Sequence, residues 1–394
     1  MSPLTDEMLA RCETALREVT AMAGSASGVA ARVRQLAGEE FVGLVVATAS
    51  LQPKAIAKLG PGLWWTTDRA LQQASARPVS DCKANWFGGE RVYDLCCGIG
   101  GDALALARRG EVIGVDRDLG LIAMARENVR MNSPHASRCG FICADVTVFD
   151  ASADALFHID PDRRQGNSRQ TRPEDYSPSW EFVEQAIDQS AGVAVKLAPV
   201  AEVADRKGQL RVWISLAGSV REQTLLTGAV DRRARETLSI DPASHRGAIV
   251  LGNDAEVTMF SANVEENCEQ SQTPSEYLID PDAAIRAAGL TTSFANRFGL
   301  ASIGNPSGFL TGNEAVPMGL GISERVLWHG SCDDRKLRKV LRGLNVFPTR
   351  VKTRGVAHDA NQLQLRYRDC GETPVSLWIG RTSKRFYAAV TSTN

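Results

Sequence analysis

The stretch Val92-Tyr93-Asp94-Leu95-Cys96-Cys97-Gly98-Ile99-Gly100-Gly101-Asp102 joins an apolar run to a helix-like run through three glycines. Glycine there lets the backbone turn sharply and leaves no Cβ between the main chain and a bound group. The next β-branched run, Val112–Asp116, ends in an acid, with Arg117 beside it. An acid at the end of the second strand of a βαβ unit is placed to accept both hydroxyls of a ribose. Together the loop and the acid-ended strand point to a cofactor built on adenosine.

The flanks of the loop narrow the choice. A dinucleotide's pyrophosphate needs helix N-terminal N–H groups and is repelled by carboxylates. Here Asp94 precedes the loop and Asp102 opens the helix after it. Carboxylates suit the ammonium and sulfonium of S-adenosylmethionine better than NAD, so S-adenosylmethionine is the expected cofactor, held by Asp94, Cys96, Gly98, Gly100, Asp102, Asp116 and Arg117. Downstream, Ala144-Asp145-Val146 follows the third strand; Asp145 can accept a hydrogen bond from the adenine amino group or cap a helix.

The fourth strand ends in His158-Ile159-Asp160-Pro161-Asp162-Arg163-Arg164. Ligands of open parallel sheets bind beyond the C-terminal strand ends, which puts Asp160 in the site. Asp160 and the main chain at Pro161 can hold a nucleophilic amine, so that catalysis is mainly positioning for in-line methyl transfer. Arg163 and Arg164 can bind a substrate phosphate or pair with Asp162 or Asp175.

These residues need a scaffold, and its outline is readable. With 394 residues the chain has room for two or three domains. Apolar residues make up 43% and no run approaches a membrane span, which fits a globular protein and not a membrane or fibrous one. The N-terminus lacks the apolar core of a signal peptide, and the nine cysteines match no zinc pattern. Reduced thiols in a cytoplasmic protein, with no metal, are expected.

From Leu4 to Leu71 apolar residues recur at helical spacing, with Thr66-Thr67-Asp68 able to cap a further helix. From Arg91 short β-branched runs alternate with helical ones, including strands at Phe141–Ala144, Ala155–Ile159, Val193–Leu197, Val212–Leu216 and Ala248–Leu251. Such alternation predicts a parallel sheet covered by helices. Residues 263–273 are polar and aperiodic and read as a linker. Beyond them come a basic helix over Asp333–Gly343 and strands at Arg350–Thr353, Gln362–Tyr367, Val375–Ile379 and Phe386–Val390.

Charge separates that last segment from the rest. Residues 275–394 hold 16 Lys and Arg against 10 Asp and Glu, although the whole chain has a formal charge of −1. Arg335, Lys336, Arg338, Lys339 and Arg342 surround the apolar stripe of the basic helix, with Arg350, Lys352 and Arg354 following. They form either a solvated face or a surface for a nucleic-acid phosphate backbone.

The segments DLCCGIGGDALALA, DPDRR and WWTTDRALQQAS resemble bacterial class I S-adenosylmethionine-dependent methyltransferases that end in a THUMP-like domain. PSEYLIDPDAAIRAAGL and LRKVLRGLNVFPTRVKTRGV resemble the THUMP-like domain itself. More distantly the glycine-loop region is similar to trimethylguanosine synthases and other RNA guanine-N2 methyltransferases. Those carry a proline pair and an aromatic residue where this chain has Pro161-Asp162-Arg163. Tyr176, Trp180, Trp64 or Trp65 could supply the missing ring, or pack in a core.

The resemblance implies an α/β protein with a helical N-terminal domain (1–80), a Rossmann-like methyltransferase domain (81–262) and an α+β THUMP-like domain (274–394). It adds Thr66 to the cofactor contacts and Asp160, Pro161 and Arg163 as the catalytic set. N-methylation of an exocyclic amine of an RNA base is the leading expectation. A small-molecule or protein acceptor, or a nucleic-acid-binding protein that has lost its chemistry, are the alternatives.

Overall fold

The computed structural model describes residues 4–22, 26–148, 154–162, 164–165, 168–169, 171–252, 256–304, 308–382 and 385–393. The chain divides into two compact units, Met1–Leu216 with Arg221–His245, and Ala217–Val220 with Arg246–Asn394.

The first unit begins with helices α1 (Asp6–Ala21), α2 (Ala26–Leu36), α3 (Val42–Leu59), α4 (Asp68–Gln73) and α5 (Arg77–Ala84). Strands β1 (Val92–Leu95), β2 (Val112–Asp116), β3 (Cys139–Cys143) and β4 (Leu156–Ile159) follow, with α6 (Gly101–Leu106) and α7 (Leu119–Asn132) between the first three. A two-residue ribbon, β5 (Arg164–Gln165) and β6 (Ser168–Arg169), precedes α8 (Trp180–Gln189), β7 (Gly192–Leu197), β8 (Gln209–Leu216), β9 (Ser219–Thr227) and α9 (Gly228–Leu238). The strand order is β8-β9-β7-β4-β1-β2-β3. From β7 to β3 the strands are parallel, and β9 runs antiparallel to β7. Chain order reverses at β1, which lies between β2 and β4, so the crevice for a ligand opens beyond the ends of those strands.

The N-terminal helices form no core of their own. Leu9, Leu16, Val45 and Leu59 share one buried cluster with Ile99 and Leu104 beside the glycine loop and Met124 and Val129 of α7. Each such fully buried side chain contributes roughly 1.5–3 kcal/mol. Residues 1–80 therefore belong with the sheet and not to a separate unit. Three amides fix the connection, two buried and one half-buried: Gln52 accepts from Trp64 N–H (3.0 Å), Asn128 from Trp65 N–H (2.7 Å), and the half-buried Asn132 from Leu63 N–H (3.1 Å).

The second unit contains the hairpin β10 (Arg246–Leu251) and β11 (Val257–Ala262), then β12 (Tyr277–Pro281), α10 (Ala283–Ala287), α11 (Thr291–Arg297), β13 (Ala301–Ile303), β14 (Phe309–Gly312), β15 (Gly321–Ser331), α12 (Asp334–Gly343), β16 (Val346–Thr353), α13 (Ala360–Tyr367), β17 (Thr373–Arg381) and β18 (Phe386–Ser392). Its seven-stranded sheet has the order β13-β14-β12-β15-β18-β17-β16. The β16–α13–β17 crossover makes its one parallel pair among the described residues.

Two expectations are corrected here. The division falls before β10 and not at 263–273, because the hairpin packs on its own unit: Phe260 meets Phe294 at 5.1 Å and Arg246 donates to Ala288 O at 2.8 Å. Gln362–Tyr367 lies in a helix. Asp359 caps it by accepting from Asn361 and Gln362 N–H, and Leu363 and Tyr367 share its buried face. Strands β5, β6, β9 and β11–β15 were not foreseen. Among the described residues no helix is long and apolar enough to cross a membrane.

Candidate functional site

Beyond the ends of β1, β2 and β4 lies a cavity of 610 Å³. Asp94, Cys96, Gly98, Asp102, Asp116, Arg117, Asp145, Val146, Asp160 and Pro161 all line it, so most residues singled out along 94–161 of the sequence converge on one space. Thr66 and Gly100 are not among the lining residues. Thr66 is buried and donates to Thr67 O, while Thr67 lines the cavity and caps α4. Gly100 serves the loop's shape: φ is +82°, and a Cβ would stand 3.2 Å from Ala125 Cβ on α7. Arg163 lies outside the described residues, as does the Arg164 side chain. Trp64, Trp65 and Tyr176 are buried in cores, and neither they nor Trp180 line the cavity.

The loop is built by its acid. Asp116 accepts Gly98 N–H through Oδ2 and Asp118 N–H through Oδ1, both at 3.0 Å, tying the end of β2 to the glycine turn. Gly98 has a φ of +54° and nothing within 4 Å of where a Cβ would stand, so its backbone faces open space. Asn128 on α7 donates to Ile99 O at 3.0 Å and to Trp65 O at 2.9 Å, pinning the loop and the N-terminal segment together. Asp145 accepts from Thr147 N–H (2.9 Å) and its hydroxyl (2.8 Å), which hold its carboxyl below the usual range. That turn-capping role leaves it on the cavity wall.

Beneath the cavity is a buried charge cluster that sequence reading missed. Lys83, 1% exposed, lies 3.0 Å from Asp102 Oδ1, 3.2 Å from Glu222 Oε1 and 3.0 Å from His158 Nε2. Burial alone would lower Lys83, but Asp102, Glu222 and Asp160 push it well above the ordinary lysine range. An ammonium only donates, so His158 Nε2 accepts from it, and the ring proton sits on Nδ1, 2.7 Å from Asp94 Oδ1. Burial would raise Asp102, yet Lys83 and, behind it, Lys196 hold it far below the usual carboxylate range. Lys196 of β7 donates to Asp160 Oδ2 at 2.6 Å and to Ser75 Oγ at 3.1 Å. The signal for these residues was weak but present: Lys196 and His158 are polar side chains inside short strands buried along their whole length.

The cluster is incomplete on the cavity side. Asp94 Oδ2 is buried without a hydrogen-bond partner, and burial raises the Asp94 carboxyl. A buried carboxylate oxygen in that state is stabilised by a cationic donor. The wall carries Asp94, Asp102, Asp116, Asp118, Asp145, Asp160 and Asp162 against Arg69 and Arg117. This donor set fits the cationic methionine half of S-adenosylmethionine and disfavours a pyrophosphate. The Cys96 and Cys97 thiols are pushed well up by burial and remain thiols, and all nine cysteines are free.

Comparison with known proteins agrees. Residues 92–165 match the methyltransferase domain family. An uncharacterized S-adenosylmethionine-dependent methyltransferase of Mycobacterium tuberculosis is 31% identical over 364 residues, 88% of this chain and 95% of the relative. A 23S rRNA (uracil(1939)-C(5))-methyltransferase of Xylella fastidiosa is 52% identical over 60 residues, only 15% of this chain and 13% of its own. A crystal structure from Porphyromonas gingivalis W83, whose own assignment as a methyltransferase is provisional, shares the fold at a TM-score of 0.72 with 15% identity, covering 99% of this chain and 98% of that one.

Proposed function

Because the chain belongs to the S-adenosylmethionine-dependent methyltransferases, we propose that it methylates an exocyclic amine of a base in structured RNA. S-adenosylmethionine, when bound, supplies a methyl group made electrophilic by its sulfonium. Asp94 Oδ2 and Asp102 would face its ammonium, and Asp116, each oxygen keeping a second lone pair, its ribose. Val146, Arg117 and the Gly98 backbone would complete the pocket.

One observation carries the choice of an amine. Asp160 lines the cavity at the end of β4, its Oδ2 held by Lys196 at 2.6 Å, while Oδ1 has no hydrogen bond among the described residues. An oxygen so placed accepts an N–H and aims the nitrogen lone pair at the methyl group. Pro161, also on the wall, brings its main chain to the same place.

The RNA part of the reading rests on α12 and on the resemblance of the second unit to a THUMP-like domain. Arg335, Lys336, Lys339 and Arg342 are exposed on α12. Arg338 pairs with Asp334, Arg350 with Glu324, and Lys352 and Arg354 with Asp280. These pairings reduce the phosphate-binding set to four freely exposed cations on α12, and they support a small-molecule or protein acceptor as the second reading. Methyl transfer from radiolabelled S-adenosylmethionine into RNA, protein and metabolite fractions of cells lacking this gene separates the two. Label in RNA as an N-methylated base is expected; label confined to another fraction contradicts the RNA reading.

A further inference from the structure

We propose that Lys196 is a positioning residue that sets the Asp160 carboxylate for the methyl acceptor, an inference that rests on the reading of Asp160 above. Lys196 comes from β7, Asp160 from the end of β4, Ser75 from the connection between α4 and α5, and Glu222 from β9. At 4% exposure the Lys196 ammonium has no access to bulk water, so its protons must be taken by neighbours. They are taken by Asp160 Oδ2 at 2.6 Å and Ser75 Oγ at 3.1 Å, with Glu222 Oε2 at 3.9 Å behind. A charge-assisted hydrogen bond of that length fixes the orientation of the carboxylate it meets. It also consumes one oxygen of Asp160 and leaves the other for the acceptor.

Lys196 does not act alone. Glu222 and Ser75 are shared with Lys83, which lies 3.2 Å from Glu222 Oε1 and 3.4 Å from Ser75 Oγ and itself holds Asp102 at 3.0 Å. Asp102 lines the cavity near the glycine loop, and Asp160 lines it near the end of β4. One buried cluster thus holds a carboxylate on each part of the wall. A buried lysine serving only to satisfy a distant acid would not need its shortest contact to fall on a residue of the cavity wall.

The test uses two ligands of the full chain and no acceptor. S-adenosylhomocysteine lacks the methyl group; sinefungin carries an amine on carbon where S-adenosylmethionine carries its methyl sulfonium. The ratio of their affinities, measured by calorimetry, reads the acceptor side separately from the rest of the pocket. Asp160→Asn is expected to reduce the preference for sinefungin about tenfold. Lys196→Met is expected to reduce it by a similar factor, and the double variant by no more than either alone. In each, S-adenosylhomocysteine affinity should stay within about twofold of wild type, a result general loosening of the fold would not give. Ser75→Ala removes one support of Lys196 without removing charge and should lower the ratio about threefold; it decides the matter where Lys196→Met fails to bind either ligand. A ratio unchanged in Lys196→Met, or in Ser75→Ala where that variant decides, or a double variant with additive losses, overturns the role of Lys196. A ratio unchanged in Asp160→Asn overturns instead the reading of Asp160, and this inference with it.

Discussion

Asp94 in the first unit and Glu324 in the second are both 1% exposed, but their oxygens are treated differently. Glu324 Oε1 accepts from Ser376 at 2.9 Å and Arg350 at 3.0 Å, and Oε2 from Trp378 at 2.8 Å and Thr391 at 2.5 Å. Every lone pair is used, and the carboxylate cross-links β15, β16, β17 and β18. Asp94 accepts from His158 alone and keeps Oδ2 unpartnered at the wall of a cavity. A saturated buried acid serves stability, whereas an unsaturated one marks a place where the fold accepts a cost for a ligand.

The comparison breaks most sharply at Glu324. Glu324→Ala removes the buried acceptor shared by the Trp378 N–H, the Ser376 and Thr391 hydroxyls and Arg350, and should destabilise the second unit by about 3 kcal/mol, measured by denaturant unfolding. S-adenosylhomocysteine affinity should not change. Next in size is Asp116→Ala. It removes the acceptor of Gly98 and Asp118 N–H as well as the proposed ribose contact, and should weaken S-adenosylhomocysteine binding about 100-fold by equilibrium dialysis.

Asp94→Asn should cost about tenfold in S-adenosylmethionine affinity, and its pH dependence sharpens the contrast. Burial raises Asp94 and Asp116, so the folded unit keeps protons that the unfolded chain has released at the same pH. Their contribution to stability therefore falls as pH rises through the interval between the ordinary and the raised values. A bound cation favours the ionised form, so affinity should rise over that same interval. Titrations across mild acid should show this rise in the wild type and a flatter profile in Asp94→Asn.

The smallest effects belong to single cations of α12. Lys339→Ala or Arg342→Ala should each reduce the salt slope of RNA retention by about 1 without touching cofactor binding. Lys352→Ala should leave that slope alone, because Asp280 at 2.7 Å already holds its ammonium.

Much of the first unit was legible because its signals are local. β1, the glycine turn, β2 and its terminal acid follow one another within Val92–Asp116, and the cofactor residues named from that run, Gly100 apart, line the cavity. The cluster beneath it was not legible, since Lys83, His158, Lys196 and Glu222 come from α5, β4, β7 and β9 and meet only when the sheet forms. The helix α13 was misread for a related reason. Leu363, Leu365 and Tyr367 alternate like a strand, yet Leu365 is 64% exposed while Leu363 and Tyr367, four apart, are buried. The Asp359 cap decided the outcome, and alternation alone could not reveal it.

The most direct test of the difference between the two buried acids is calorimetric titration of S-adenosylmethionine into the full chain, Asp94→Asn and Glu324→Gln in parallel. One binding site in the wild type, undiminished in Glu324→Gln and weakened in Asp94→Asn, is the predicted result. No binding to the wild type, or loss in Glu324→Gln with Asp94→Asn intact, would contradict it.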